Sequence, residues 1–173
     1  MLSLHPPSLR RGFTLIEIVI VLMVIGLLVG IVAPKVQSQS ARTRDTRRVQ
    51  DLRTFIDAIE QFKLDHGDYP APGKLVGGWD RSGDGDFLPE LVNQGYVRAP
   101  LADPIEDATH YFAYRKLPAG TYGCVGPGSY YVIAIHAFET QQARNQFPSN
   151  FRCSGFDFGS QFAYATGGGA SFQ

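Results

Sequence analysis

Hydrophobic and polar positions fall into three regimes along this chain. From residue 13 to 33 the only charge is Glu17, and the rest is almost entirely Ile, Val, Leu, Met and Gly. As one helix, those 21 residues would reach ~31 Å at about 1.5 Å per residue, the thickness of a bilayer's hydrocarbon core. From Gln37 onward the period changes. Val49, Leu52, Phe55, Ile56, Ile59 and Phe62 recur every three or four positions, which predicts one apolar stripe of an amphipathic helix. Arg42, Arg44, Arg47, Arg48, Asp51, Asp57 and Glu60 are assigned to its other faces. Gly67 fits a C-cap, and Pro70 cannot continue the helix.

Beyond that point the pattern is β-like. Residues 110–115, 130–138 and 161–165 are expected strands, and 130–138 is the strongest because it is long and β-branched. Residues 88–97 predict a short helix opened by Pro89 and closed by Gly95. Residues 71–86 and 139–160 are expected to be loops. An antiparallel sheet packed on the apolar stripe accounts for both halves of the pattern. The expected fold class is therefore α+β. A long N-terminal helical stem, first transmembrane and then amphipathic, packs on a small antiparallel head. The expected divisions are a leader over 1–12, an apolar helix over 13–34, an amphipathic stem over 35–66 and a globular head over 67–173. Pro34 must kink or locally break the stem. Gly26 and Gly30 form a small-xxx-small pair suited to close helix contacts.

A carboxylate so early in an apolar helix costs roughly 2–3 kcal/mol to insert into lipid, so Glu17 calls for a function and a partner. A plain signal anchor would leave it unexplained. A cleaved secretory signal would be cut near Val32 and Ala33, but Pro34 follows and the apolar run is too long. A third pattern fits the whole stretch. A short basic leader with Arg10 and Arg11, then Gly12, then Phe13-Thr14-Leu15-Ile16-Glu17 and an apolar helix resembles the class III signal of type IV prepilins and type II secretion pseudopilins.

That resemblance implies a membrane prepilin peptidase that cuts between Gly12 and Phe13 and methylates the new amino terminus at Phe13. Glu17 then becomes the fifth residue. The new ammonium needs an anion, and Glu17 of a neighbouring subunit can supply it if adjacent helices are staggered by about one turn, each charge relieving the other's desolvation. The stretch from Phe62 through Gly67 to Tyr69-Pro70 resembles the helix end of pseudopilins and related pilins. Residues 88–97 followed by Asp103-Pro104 look like the αβ loop of small bacterial pilins. The longer Asp-Pro-Trp-Gly-Asn-Pro signature of major pseudopilins is missing, with Ile105-Glu106-Asp107-Ala108 in its place.

The implied function is a non-enzymatic structural subunit of a type IV pilus-like filament, polymerised through its N-terminal helix. The alternative is a minor pilin or pseudopilin of a secretion or DNA-uptake system. The implied partners are copies of the same chain, the prepilin peptidase, the inner-membrane assembly machinery and, before assembly, membrane lipid. The implied location is the bacterial inner membrane as a bitopic precursor, and then a cell-surface filament. Counted literally, the positive-inside rule favours the opposite orientation, because Lys35 and Arg42 to Arg48 follow the span. Leader processing on the cytoplasmic face, which the resemblance requires, overrides it.

Composition refines this picture in four places. The chain has 173 residues; without leader and span roughly 140 remain, enough for one modest domain. Net charge is zero but uneven: residues 35–63 hold seven basic and four acidic side chains, and residues 64–173 hold seven and eleven. The stem arginines suit a solvated face or the acidic faces of neighbouring subunits better than nucleic acid, because no aromatics interleave with them and Asp45 and Asp51 dilute them. Cys124 and Cys153, in an exported head, are expected to form one disulfide closing a loop of about 28 residues and contributing ~3 kcal/mol; two separate buried thiols are the other possibility.

Asp80, Asp84 and Asp86 alternate with glycines in a partial calcium-loop pattern. Leu91 stands where the bidentate Glu belongs, and Asp86 could instead help cap the following helix. Major pseudopilins bind calcium in a head loop, with a ligand pattern other than this one. No other cofactor is expected. A membrane-anchored enzyme remains a remote alternative, since no nucleophile–base pair, phosphate loop or metal set stands out.

Overall fold

The computed structural model describes residues 12–149 and 151–170, excepting the side chains of residues 32–38. The expected leader lies outside the described residues except for Gly12. The chain divides into two compact units, Met1–Ser40 and Ala41–Gln173. Helix α1, Leu15–His66, begins in the first unit and ends in the second. It continues through Pro34, so the proline does not end it.

In the first unit Thr14 opens the helix. Its Oγ1 accepts from the Glu17 N–H at 3.3 Å, so Thr14 is the N-cap and Glu17 stands at N3, the spacing of a capping box. Every described side chain from 13 to 31 is exposed, from Ile18 at 47 % to Leu15 at 83 % among the large apolar residues. Among the described residues no helix is long and apolar enough to cross a membrane. The expected span runs past Ile31 into residues 32–34, whose side chains are not described.

In the second unit α1 ends as its sequence requires. Gly67 takes φ +80°, and its N–H bonds the Lys63 carbonyl at 2.9 Å, the αL C-cap. Lys63 also donates to the Gly67 carbonyl at 2.6 Å, placing a cation at the helix C-terminus. The predicted stripe is buried: Val49, Leu52, Phe55, Ile59 and Phe62 are in the core and Ile56 is partly covered.

Five strands form one antiparallel sheet in the order β1-β2-β3-β4-β7. They are β1 Leu75–Val76, β2 Trp79–Arg81, β3 Phe112–Leu117, β4 Tyr130–Ile135 and β7 Tyr164–Gly168. All three expected strands are present, each with shifted ends. The expected loops are more structured than anticipated. Residues 71–86 include the β1–β2 hairpin. Residues 139–160 include α3, Gln141–Gln146, capped by Thr140, and a second small sheet of β5 Arg152–Cys153 and β6 Phe156–Asp157. Helix α2, Pro89–Asn93, is shorter than predicted, and Gly95 at φ +80° follows it.

The sheet is covered on both faces. On one, Phe112, Tyr114, Tyr131, Ile133 and Ile135 meet the stem stripe together with Phe87, Leu88 and Leu91. On the other, Trp79, Ala113, Tyr130, Val132 and Ala134 lie under Phe151, Phe158 and Phe162. This explains the apolar run of β4, buried at all six positions: a strand covered on both sides does not alternate. The expected disulfide joins Cys124 to Cys153 and holds the covering segment on that second face.

Candidate functional site

Two regions carry chemistry beyond core packing. The first is the N-terminal segment. Gly12, Phe13 and Thr14 are not helical, Phe13 is 78 % exposed, and Glu17 is exposed one turn into α1. The helix from Leu15 to Ile31 is apolar on all sides and covered on none among the described residues. Burying apolar area at about 25 cal/mol per Å² favours covering such a surface, whether by lipid or by other helices.

The second region is a charged cluster where the stem meets the head. Arg48 is fully buried on α1. Its Nε and Nη2 donate to Asp103 at 2.6 and 2.8 Å, a two-pronged pair. Its Nη1 donates to Asp45 at 2.7 Å and to Glu139 at 2.8 Å. Arg44 adds a second fork onto Glu139, with Nε at 2.8 Å and Nη2 on the other oxygen. Two guanidinium groups and three carboxylates leave one negative charge in excess. Asp45 also accepts from the N–H groups of Glu139 and Thr140 and from the Thr140 hydroxyl, at 3.0, 2.9 and 2.7 Å. Asp103 accepts from the Ile105 N–H at 2.9 Å. Glu106 extends the network: it accepts from the Asp103 N–H at 2.6 Å and from Ser82 at 2.7 Å.

Removing these charges from water is unfavourable by several kcal/mol each, and only this density of partners offsets it. The acidities follow. The Arg44 hydrogen bond, aided by Arg48 and opposed by burial, holds the Glu139 carboxyl at about 2. Burial alone would raise Asp103, but the Arg48 hydrogen bonds outweigh it and hold the carboxyl below its usual range. Arg48 itself is pushed above its ordinary value: burial would lower it, and the bonds to Asp103 and Glu139 prevail.

The sequence pattern assigned Arg44 and Arg48 to a solvated face or to neighbouring subunits. That assignment is corrected here, because both are consumed by the head's own Asp103 and Glu139. Arg47 pairs with Asp51 at 3.3 Å on the exposed side. With three of the stem arginines paired to acids, a phosphate-binding face is weakened.

The calcium pattern does not assemble. Asp80 points inward, and its Oδ2 accepts from the N–H groups of Gly73 and Leu88 at 2.7 and 3.0 Å. It anchors the loop, while Asp84 and Asp86 are exposed. Among the described residues no group of three His, Cys, Asp or Glu side chains could hold a metal ion. The residues present do not fit a calcium ion.

Comparison with known proteins bears on the first region. Residues 7–33 match the prokaryotic N-terminal methylation motif. Type II secretion system core protein G of Klebsiella pneumoniae is 34 % identical over 115 residues, 66 % of this chain and 70 % of that protein. The chain belongs to the family of type IV pilins and type II secretion pseudopilins. The core protein G of Escherichia coli K12 is 29 % identical over 127 residues, 68 % of this chain and 86 % of its own length. The type IV major fimbrial protein FimA of Dichelobacter nodosus is 39 % identical over 82 residues, 46 % of this chain and 51 % of its own. No solved structure matches. As a pilin-family protein the chain is a structural subunit of a pilus-like filament, and its α+β architecture agrees.

Proposed function

We propose that this subunit begins as a bitopic precursor in the bacterial inner membrane, with its head outside the cytoplasm, and ends in a cell-surface filament. A prepilin peptidase cuts between Gly12 and Phe13 and methylates Phe13. The apolar helix then leaves lipid, with the help of the inner-membrane assembly machinery, and packs against copies of itself. Glu17 pairs with the Phe13 ammonium of a neighbour. The chain performs no catalysis of its own.

One observation carries this proposal: an apolar helix exposed on every side, with a single carboxylate one turn from its start. Mass spectrometry of filament subunits tests it. The expected amino terminus is N-methylated Phe13, and an intact leader in assembled filaments overturns the proposal. Glu17→Ala is expected to leave the precursor membrane-inserted but absent from filaments; normal incorporation would remove the role assigned to Glu17.

A secretion role has its own support, since several relatives carry the name type II secretion system core protein G. Deleting the gene separates the two. Loss of surface filaments with intact protein export marks a pilus subunit, whereas stalled export marks a pseudopilus subunit.

A further inference from the structure

We infer that Arg48 is the resident cation of the head: it ties the segments around Asp103 and Glu139 to the stem as a bound divalent ion would, and makes their folding independent of calcium. This stands whether or not the filament proposal holds.

A bound calcium ion joins chain segments by gathering carboxylate oxygens around a buried positive charge. Here the positive charge is covalent. Three carboxylates from three places in the chain converge on one fully buried guanidinium. Asp45 comes from α1, Asp103 from the segment after α2, and Glu139 from the turn after β4. Asp103 and Glu139 lie 55 and 91 positions from Arg48 along the chain, so the group holds two distant segments on the same helix. A guanidinium suits the role better than an ammonium, because its planar fork serves Asp103 with two bonds and still offers Nη1 to Asp45 and Glu139. Each of those carboxylates is additionally held by a second arginine or by N–H and hydroxyl donors. At the acidic loop with the partial calcium pattern, the carboxylates do not assemble into a site among the described residues. The architecture thus places its buried positive charge at the stem–head junction and supplies it from the stem.

Amide hydrogen exchange on the full chain in detergent tests this. In the native chain, exchange across residues 100–107 and 138–146 is expected to agree within about twofold between calcium chloride and EDTA. Asp103→Asn should speed exchange in the first segment only, and Glu139→Gln in the second only. Arg48→Gln should speed both together, on the order of tenfold or more. If Arg48→Gln does not fold, Arg48→Lys decides in its place: it keeps the charge but not the fork, and should loosen both segments while β3 and β4 stay protected. Faster exchange of either segment in EDTA overturns the inference. So does an Arg48 variant that loosens only one segment, or neither.

Discussion

At the scale of single residues, the decisive feature is where Arg48 lies. Positions 45, 48, 52, 55, 59 and 62 share one three-and-four track on α1, so Asp45 and Arg48 continue the apolar stripe rather than leave it. The spacing carries that alignment, but the charge of Arg48 led the sequence pattern to place it on the other faces. Their partners were not, because Asp103 and Glu139 lie 55 and 91 residues away and no local pattern connects them. The paired state gives a pH dependence with a definite sign. Glu139 has a folded-state pKa of about 2 against an ordinary 4.5. Its contribution is therefore complete above about 4.5 and is lost as pH falls toward 2. Urea titrations followed by the fluorescence of Trp79, the single tryptophan, should show this loss, and Glu139→Gln should flatten the curve in that window.

Asp80 titrates in the opposite sense. Burial pushes it up, bonds from Leu88 and Gly73 oppose, and Asp86 and Asp84 add to the rise. Its Oδ1 has no partner among the described residues. A raised carboxyl destabilises the fold as pH climbs past its ordinary value. Asp80→Asn keeps an oxygen for both N–H groups and removes the charge. It is expected to raise stability at neutral pH by up to about 1 kcal/mol, with the gain vanishing in acid.

At the scale of elements, the amphipathic part of the long helix could be read from its period, its C-cap from Gly67 and Pro70, and the three main strands from their β-branched and aromatic residues. The β1–β2 hairpin could have been. Val76-Gly77-Gly78-Trp79 puts two glycines with φ of +62° and +84° between paired residues, the signature of a two-residue primed turn. It was masked because Asp and Gly in the following loop suggested irregular chain. The β5–β6 pair and α3 are too short to produce a period. The stripe predicts its own energetics: Phe62→Ala should cost about 3–5 kcal/mol in unfolding free energy by urea titration, because its ring is buried in the core and packs edge-on against Tyr96. Replacing both Cys124 and Cys153 by serine should cost about 3 kcal/mol. Proteolysis should then reach residues 147–163 first, because the bond fastens that cover to the sheet.

For the whole molecule, the two units have opposite surfaces. Among the described residues the first exposes Ile, Val and Leu on every side, while the second encloses most of its large apolar residues on both faces of a sheet. Removing residues 1–40 should therefore change the solution behaviour more than the fold. The remaining chain is expected to be monodisperse without detergent by light scattering, with far-ultraviolet circular dichroism still showing helix and strand, while the full chain aggregates.

The helix start at Thr14 has a further consequence. The atoms that close the first turn, the Thr14 hydroxyl and the Glu17 N–H, both lie downstream of the Gly12–Phe13 bond, and Gly12 and Phe13 are themselves non-helical. Hydrolysis at that bond would break no helical hydrogen bond among the described residues. The cleavage proposed above, at Gly12–Phe13, would release a helix whose first turn is already closed. On the proposed processing, maturation and closure of the first helical turn would be separable events, and neither would have to wait for the other.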